Sequence, residues 1–386
     1  LPSHRLRVRH LGNVRATADR AEPVQAAQYQ TTGGVSPACE HDREQAVTLR
    51  TWDGLTIHHG ECENVLPTFP TASVDALLTD PPSGIGFMGL TWDRDKGGRD
   101  AWIAWLRGVL SECLRVLKPG RAGFVWALPR TSHWTATACE DAGFEVRDIV
   151  THVFGQGMPK SRSLLKPASE HWILIKAPGE LRELRIEENR IGTSKNVPAS
   201  LSKTPGTVYG GGWRKGIPKA EGGEQQGVGG HDPNSGRWPA NFALSHSDDC
   251  GDTCAAGCPV EELDRQSGPS SRQNNPTRLT TNIKSGVHFG DSGGASKFFY
   301  VAKPSKSEKS RMVTDGNAHP TVKPTRLMRH LIELITEPGE LILDPFLGSG
   351  TTAVAAQEVN RRLIGIEQSA DYCEIAKQRL AQGSLF

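Results

Sequence analysis

No run of apolar residues in the 386-residue sequence approaches the roughly 20 residues that a membrane-spanning helix needs. The arginines at positions 5, 7 and 9 are not followed by the apolar stretch of a secretory signal peptide. The eight cysteines lack the dense spacing of a secreted disulfide framework. We therefore expect a cytoplasmic protein with no membrane partner.

The charge of the whole chain is nearly balanced, with 45 Lys and Arg against 43 Asp and Glu and a formal net charge of +2. This balance alone does not indicate a nucleic-acid-binding protein. It conceals a basic segment, since residues 265–311 hold nine Lys and Arg against two acidic residues. Such a segment is typical of a nucleic-acid-binding insert, although a charged run is more often a solvated surface.

Composition divides the chain into four segments. Residues 1–50 are polar and aperiodic, and we expect a disordered leader there. Residues 51–178 and 297–386 alternate short apolar runs with helical patterns, which predicts an α/β protein with a parallel, doubly wound sheet. Residues 179–296 are rich in Gly, Ser, Asn and Pro and are predicted to be an insert between the two halves of that domain.

The most informative motif is Asp-Pro-Phe-Leu-Gly-Ser-Gly-Thr-Thr at residues 344–352, between a predicted strand and a predicted helix. Gly348 and Gly350 allow a sharp turn close to a ligand, and Thr351 and Thr352 are expected to cap the helix. The next predicted strand ends at Glu367, where a carboxylate can hold a ribose diol.

Three interpretations of this loop compete. A phosphate-binding P-loop requires a lysine after Gly350, and the sequence has none there. A dinucleotide-binding fingerprint requires a third glycine, which is missing. The remaining interpretation is a nucleoside cofactor without a pyrophosphate, held by the loop and by Glu367.

A second motif, Asp80-Pro81-Pro82-Ser83, follows the predicted strand over residues 74–79. Two prolines cannot continue a strand ladder, so the chain must leave the sheet in a rigid turn. In an open α/β sheet, the crevice outside the strand ends is where ligands bind. The motif therefore predicts that Asp80 and the Pro81 carbonyl face a ligand.

The two motifs together resemble those of DNA amino-methyltransferases. The loop at 344–352 resembles the S-adenosylmethionine loop of these enzymes, and His319-x-Thr321-x-Lys323-Pro resembles their segment for the methionine end of the cofactor. The order of the motifs is similar to that of the beta group, of bacterial or phage type. The resemblance covers roughly residues 52–178 and 297–382.

The resemblance implies a seven-stranded, Rossmann-like methyltransferase sheet, circularly permuted, with residues 179–296 as the target-recognition region. It implies S-adenosylmethionine as cofactor and double-stranded DNA as substrate, and leaves a homodimer and a cognate restriction endonuclease open as partners. The cofactor-binding residues that it implies are Asp344, Phe346, Gly348, Ser349, Gly350, Thr351, Glu367, His319, Thr321 and Lys323.

The resemblance also implies a catalytic role for Asp80, Pro81, Pro82 and Ser83. Acceptors on Asp80 and Pro81 would localise the lone pair of an exocyclic amine on a flipped base. The family usually has an aromatic residue where this chain has Ser83, so we expect Phe87 or Trp92 to stack on the base. Asp at position 80 favours adenine N6 as the methylated atom. Cytosine N4 and an inactive DNA-binding protein of the same fold are the alternatives.

His246, Cys250, Cys254 and Cys258 recur at four-residue intervals, a spacing that a structural zinc site allows. All four lie in one short stretch, whereas zinc sites generally pair two separated halves. Thiols in a loop without a metal are therefore the alternative interpretation.

Overall fold

The structure is a computed structural model, which describes residues 47–51, 54–86, 89, 93–154, 165–191, 237–247, 249–251, 253–268, 293–302 and 323–383. Its strands are β1 Val47–Thr51, β2 Leu55–His59, β3 Ala76–Thr79, β4 Ala122–Ala127, β5 Glu145–Val153, β6 Ser169–Lys176, β7 Phe242–Ser245, β8 Tyr300–Ala302, β9 Leu341–Asp344 and β10 Arg362–Glu367. Its helices are α1 Cys62–Val65, α2 Arg99–Val116, α3 Ser132–Asp141, α4 Pro259–Ser267, α5 Thr325–Ile335, α6 Thr351–Glu358 and α7 Ala370–Gly383. None of the helices in these ranges is both long enough and apolar enough to cross a membrane.

All ten strands form one sheet in the order β1-β2-β10-β9-β3-β4-β6-β5-β7-β8. The seven strands from β2 to β5 form the predicted Rossmann-like sheet, in which β6 alone runs antiparallel to its neighbours. The central strand β9 comes late in the chain and pairs with β10 on one side and β3 on the other. The late position of this strand agrees with the predicted circular permutation.

Helices cover both faces of the sheet, because its central strands are apolar on both sides. All four residues of β3 are buried, as the run Ala-Leu-Leu-Thr predicts. One face packs against α2 and α3, where Trp102 and Leu110 are fully buried. The other face packs against α5, α6 and α7, with Leu331 and Ala355 in its core.

The topology brings the ends of several strands to one edge of the sheet. The parallel strands β3, β4, β9 and β10 end at the same edge of the sheet, and β6, being antiparallel, begins there. The sheet reverses its direction of growth between β9 and β3, which is where ligands bind in folds of this kind. Asp80 follows β3 at this edge, and Asp344 ends β9.

Two strands lie in segments that the sequence set apart from the methyltransferase sheet, and the predicted segment boundaries stay predictions. Strand β1 begins at Val47, within the last residues of the predicted leader, and pairs with β2; residues 1–46 lie outside the described residues. Strand β7 belongs to the predicted insert, yet it pairs with β5 in the main sheet. Hydrogen bonding with a distant strand settles the position of such short segments, and the local sequence does not reveal it.

Candidate active site

One cavity joins the two motifs. It has a volume of about 350 Å³, and its wall includes the Asp80-Pro81-Pro82-Ser83 turn and the loop from Asp344 to Ser349. Glu367 at the end of β10 and Tyr372 on α7 line it as well. The two motifs are more than 260 residues apart in the chain, and they meet because β3 and β9 are neighbours.

Asp80 is held by an ion pair that the sequence did not indicate. Lys323 Nζ lies 2.6 Å from Asp80 Oδ2, and the side chains of Lys323 and Asp80 are 9% and 23% exposed. Lys323 also lies over the ring of Trp126, with 4.1 Å between Nζ and the ring centroid. The sequence predicts that Lys323 serves the cofactor, whereas the structure brings it to the proposed catalytic carboxylate.

A buried polar network continues from this pair. Glu170 Oε2 lies 3.9 Å from Lys323 Nζ and accepts a hydrogen bond of 2.7 Å from Trp126 Nε1. Glu170 Oε1 lies 2.7 Å from His152 Nδ1, and His152 Nε2 lies 2.7 Å from Ser245 Oγ. Sequence reasoning missed these residues, although Glu170, a glutamate near the start of the buried strand β6, was a signal.

The pKa values in this network diverge. Burial raises the pKa of Asp80 to about 6, against the opposing charge of Lys323. Burial would also raise the pKa of Glu170, but Lys323 and the hydrogen bond from His152 outweigh it and lower the pKa to about 2. Two carboxylates on either side of one lysine therefore have very different proton affinities. Divergent pKa values of this kind are typical of active sites.

Ser83 is fixed by a carboxylate from the following loop. Its hydroxyl lies 2.9 Å from both oxygens of Asp93, and its backbone N–H also donates to Asp93. The backbone N–H of Gly84 donates to Asp93 Oδ1 at 3.1 Å, and this oxygen also accepts the bond from the backbone N–H of Ser83. Asp93 is 1% exposed, so this loop is anchored against the Asp-Pro-Pro turn. The side chain of Ser83 orders the turn in this way.

Glu367 ties the glycine loop to the end of β10. Its Oε2 accepts a hydrogen bond of 2.8 Å from the backbone N–H of Gly348, and its Oε1 accepts one of 2.8 Å from Ser369 N–H. Burial raises the pKa of Glu367, because desolvation outweighs these bonds. A carboxylate held in this way at the cavity wall can still accept hydrogen bonds from a diol.

Asp344 joins β9 to its neighbours. Its Oδ1 accepts hydrogen bonds of 2.9 Å from Thr79 Oγ1 and 3.1 Å from Phe346 N–H. Burial raises the pKa of Asp344 to about 7, although the hydroxyls of Thr352 and Thr79 act in the opposite direction. The glycine loop therefore begins at a carboxyl group whose ionised form is disfavoured by burial.

The predicted capping of α6 by threonines is wrong. The N-cap residue is Gly350, at φ +82°, and no side chain caps the helix. The hydroxyls of Ser349 and Thr351 accept hydrogen bonds of 3.0 and 3.1 Å from Arg379 Nη1 on α7. The hydroxyl of Thr352 bonds to Asp344 instead. The loop is fixed by contacts with other elements, which the local sequence pattern does not reveal.

Four predicted site residues lie outside the described residues. They are Phe87, Trp92, His319 and Thr321. The base-stacking and cofactor-seating roles expected of these side chains stay predictions.

The predicted metal ligands come together away from the cavity. One ligand atom from each of His246, Cys250, Cys254 and Cys258 lies within 4.8 Å of all the others. His246 directly follows β7, and Cys258 directly precedes α4. The structure thus joins four residues that the sequence grouped only by spacing.

A family model described as DNA methylase matches residues 74–378 of the chain. This range includes the Asp-Pro-Pro turn, the segment predicted as an insert and the glycine loop.

Curated relatives match over short stretches. Type II methyltransferase M2.DpnII of Streptococcus pneumoniae is 50% identical over 62 residues, which are 16% of this chain and 23% of that protein. Type II methyltransferase M.HindIII of Haemophilus influenzae is 47% identical over 66 residues, 17% of this chain and 21% of that protein. The chain thus spans about a quarter of the curated relatives that it matches.

Solved structures also resemble the chain. The crystal structure of M1.HpyAVI covers 84% of this chain and 97% of its own, with 16% identity and a TM-score of 0.43. The PvuII DNA methyltransferase, described as cytosine-N4-specific, covers 86% of this chain and 91% of its own, with 14% identity and a TM-score of 0.48.

Proposed function

Because the chain belongs to the N6/N4 DNA methylase family, we propose that it transfers a methyl group from S-adenosylmethionine to the exocyclic amine of a base flipped out of double-stranded DNA. The proposed target atom is adenine N6. One observation carries the proposal: the Asp80 turn and the glycine loop line a single cavity at the switch point of the sheet.

The cavity suits the cofactor. Its volume of about 350 Å³ is within the range of small-molecule sites. Glu367 lies at the end of β10, where a carboxylate can accept hydrogen bonds from a ribose diol. Gly348, which also lines the cavity, carries no side chain and allows a ligand to approach the backbone of this loop. When bound, S-adenosylmethionine supplies a sulfonium methyl group.

Asp80 and Pro81 activate the amine in this proposal. The lone pair of an exocyclic amine is delocalised into the base ring, which makes the nitrogen a poor nucleophile. Acceptance of one N–H by Asp80 and of the other by the Pro81 carbonyl localises the lone pair on nitrogen. The acceptors are preorganised by the rigid turn, so they would stabilise the positive charge that develops on nitrogen as the N–C bond forms and the S–C bond of the sulfonium breaks, which leaves a neutral thioether. The surplus proton then leaves to solvent.

Lys323 positions Asp80 for this role. The ion pair engages Oδ2 and leaves Oδ1 for the amine. A lysine alone would repel a nitrogen that becomes positive, but Glu170 on its other side offsets the charge. Asp80, Lys323 and Glu170 together carry about one negative charge when all three are ionised, which favours the cationic transition state.

Methyl transfer to DNA tests the proposal directly. The full chain is incubated with double-stranded DNA and S-adenosylmethionine labelled in the methyl group, and the DNA is digested to nucleosides. We expect labelled N6-methyladenine, and a loss of about 100-fold to 1,000-fold in rate for Asp80→Asn. Asp141→Asn, at an exposed position at the end of α3, is the matched control and retains the activity.

The same digest distinguishes the alternatives. Labelled N4-methylcytosine would assign the activity to the cytosine-N4 enzyme. The chain would be an inactive DNA-binding protein if the wild type binds DNA but transfers no methyl group to it. Both variants would then also bind DNA without methyl transfer. A homodimer and a cognate restriction endonuclease stay predictions; light scattering of the purified chain measures the first.

The basic segment at residues 265–311 supports DNA as the substrate. A protein that neutralises phosphates with Lys and Arg releases counterions, so its affinity falls steeply with salt. We expect DNA binding to weaken strongly between low and physiological salt. Insensitivity of the binding to salt would contradict a role of this segment at the phosphate backbone.

A further inference from the structure

Four potential metal ligands converge at the end of strand β7. His246 Nδ1 lies 3.4 Å from Cys254 Sγ and 3.4 Å from Cys258 Sγ, and all four ligand atoms of the cluster are within 4.8 Å of one another. In a tetrahedral zinc site the ligand atoms are about 3.5–3.8 Å apart, given Zn–S and Zn–N bonds of about 2.3 and 2.0 Å. The cluster therefore needs only small side-chain shifts to hold the ion.

The chain path removes the objection that the ligands occupy a single stretch. Two separate turns present the cysteines. The first is closed by a hydrogen bond of 3.0 Å from Cys250 N–H to Ser247 O, and the second by one of 3.0 Å from Cys258 N–H to Ala255 O. Gly257 takes φ +78° in the second turn, a conformation that favours glycine. The two turns act as the two halves of a zinc site.

Backbone groups complete the surroundings expected of thiolate ligands. Ala255 N–H donates to Cys250 Sγ at 3.2 Å, and such outer contacts orient and stabilise metal-bound sulfur. Cys258 is the N-cap of the nine-residue helix α4, whose positive end favours a thiolate. Cys250 and Cys258 are also 3% and 0% exposed, so water has little access to two of the ligands.

The local core has two of the thiols at its centre. Its fully buried residues are Leu244, Cys250, Cys258 and Val260, and partly buried side chains that include Phe242 and Phe299 pack against them. Two of the four fully buried positions are therefore thiols. None of the seven cysteines that the structure describes is in a disulfide.

We propose that His246 Nδ1 and the thiolates of Cys250, Cys254 and Cys258 bind a structural Zn²⁺ ion. Four protein ligands close the coordination shell, so the site holds the ion without an open position for catalysis. Binding releases the three thiol protons to solvent and leaves a cluster charge of about −1.

The ion would tie two elements together. His246 N–H donates to Ala302 O at 3.1 Å, so this ligand is fixed where β7 pairs with β8. The cysteines lead into α4, where Asp264 accepts a hydrogen bond from Ser296 N–H at 2.7 Å. Zinc would therefore hold the edge of the sheet to the start of the helix that follows.

Metal analysis and X-ray absorption of the purified full chain test the proposal. We expect about one zinc per chain, with about three sulfur ligands at 2.3 Å and one nitrogen ligand at 2.0 Å. Co²⁺ added to metal-stripped protein should give the intense visible bands of a tetrahedral thiolate site. Neither measurement requires a variant that folds.

Variants then assign the ligands. Cys254→Ser is the first choice because Cys254 is the least buried of the three cysteines, and we expect it to lose most of the zinc. Cys139→Ala removes a buried thiol from α3 and is the matched control, with zinc retained. A wild-type chain with no bound zinc, an absorption spectrum without sulfur ligands, or equal zinc in wild type and Cys254→Ser would each overturn the proposal.

Discussion

The environment of Asp80 sets a pH limit on the proposed reaction. Burial raises its pKa from 3.8 to about 6, so in the folded protein the acid becomes protonated already near neutral pH. A protonated carboxyl group is a poor acceptor for the amine. We expect kcat/KM for methyl transfer to fall as the pH is lowered through about 6, as a pH–rate profile would measure. A rate that stays constant down to pH 5 would exclude Asp80 as the ionised acceptor.

Lys323 should control the pH at which kcat/KM falls on acidification, which is the acid limb of the pH–rate profile. Its charge and hydrogen bond lower the pKa of Asp80, in opposition to burial. Removal of the charge in Lys323→Met should shift the acid limb upward by about one pH unit or more. Lys377→Met, at a lysine paired with Glu374 on α7, is the matched control. A lower rate with an unchanged acid limb would mean that Lys323 has only a structural role.

Sequence reasoning proposed Asp80 and the glycine loop as site residues because each motif is contiguous, and the structure brings both motifs to one cavity. It did not predict the ion pair of Lys323 with Asp80, because the partner of a lysine is set by what the fold brings near it. Glu170 reaches the site since β6 runs antiparallel to β4 and begins at the edge where β4 ends. The strand direction is a property of the sheet, so neither Glu170 nor His152 could be assigned to the site from its own neighbours.

Among the structural elements, the turn from β9 into α6 requires a glycine at position 350. Gly350 adopts φ +82°, and a Cβ placed on it would lie 2.6 Å from the Cβ of Ala376 on α7. A substitution therefore adds a steric clash to backbone strain. We expect Gly350→Ala to destabilise the fold by about 2–4 kcal/mol and to weaken S-adenosylmethionine binding, as measured by urea denaturation and calorimetry.

Gly339 offers a matched control for this prediction. It adopts the same φ of +82°, but a Cβ there would meet nothing within 4 Å. Gly339→Ala should therefore cost only the strain, about 1–2 kcal/mol, and leave cofactor binding unchanged. Equal effects of the two substitutions would show that the contact with α7 does not shape the loop.

Other elements were predictable to different degrees. The central strands β3 and β9 are continuous apolar runs, which indicate burial on both faces, and α2 has a clear amphipathic period. Strand β7 has only four residues, and its pairing partners β5 and β8 are distant in the chain. Short edge strands of this kind depend on neighbours more than on their own sequence, so the insert was predicted as a region and not as part of the sheet.

At the scale of the whole molecule, two buried carboxyl groups of the site make the free energy of unfolding smaller at neutral pH than at acidic pH. Asp80 and Asp344 have pKa values raised from 3.8 to about 6 and about 7, so the native state binds their protons more tightly than the unfolded chain does. Their stabilising contribution is complete below about pH 4 and is lost as the pH rises to 7. Glu170 acts oppositely, since its depressed pKa contributes stability that is lost between pH 4.5 and 2.

We therefore expect Asp344 to lower the free energy of unfolding as the pH rises from 5 to 8. Urea denaturation of wild type and Asp344→Asn at both values isolates this contribution from those of other groups. Asparagine can still accept the hydrogen bond from Thr79, so the variant should lose less stability over this interval. An equal decline in both proteins would contradict a raised pKa at Asp344.

The same carboxyl groups should make the cofactor preference depend on pH. S-adenosylmethionine and S-adenosylhomocysteine share all groups except the sulfonium methyl and its positive charge. At pH 8 Asp80 and Asp344 are ionised and attract that charge, whereas at pH 5 both are largely protonated. Calorimetry should therefore show that the ratio of the Kd for S-adenosylhomocysteine to the Kd for S-adenosylmethionine rises from pH 5 to pH 8. Because the ratio cancels every contact that the two ligands share, a constant ratio would mean that the sulfonium does not lie beside the Asp-Pro-Pro turn.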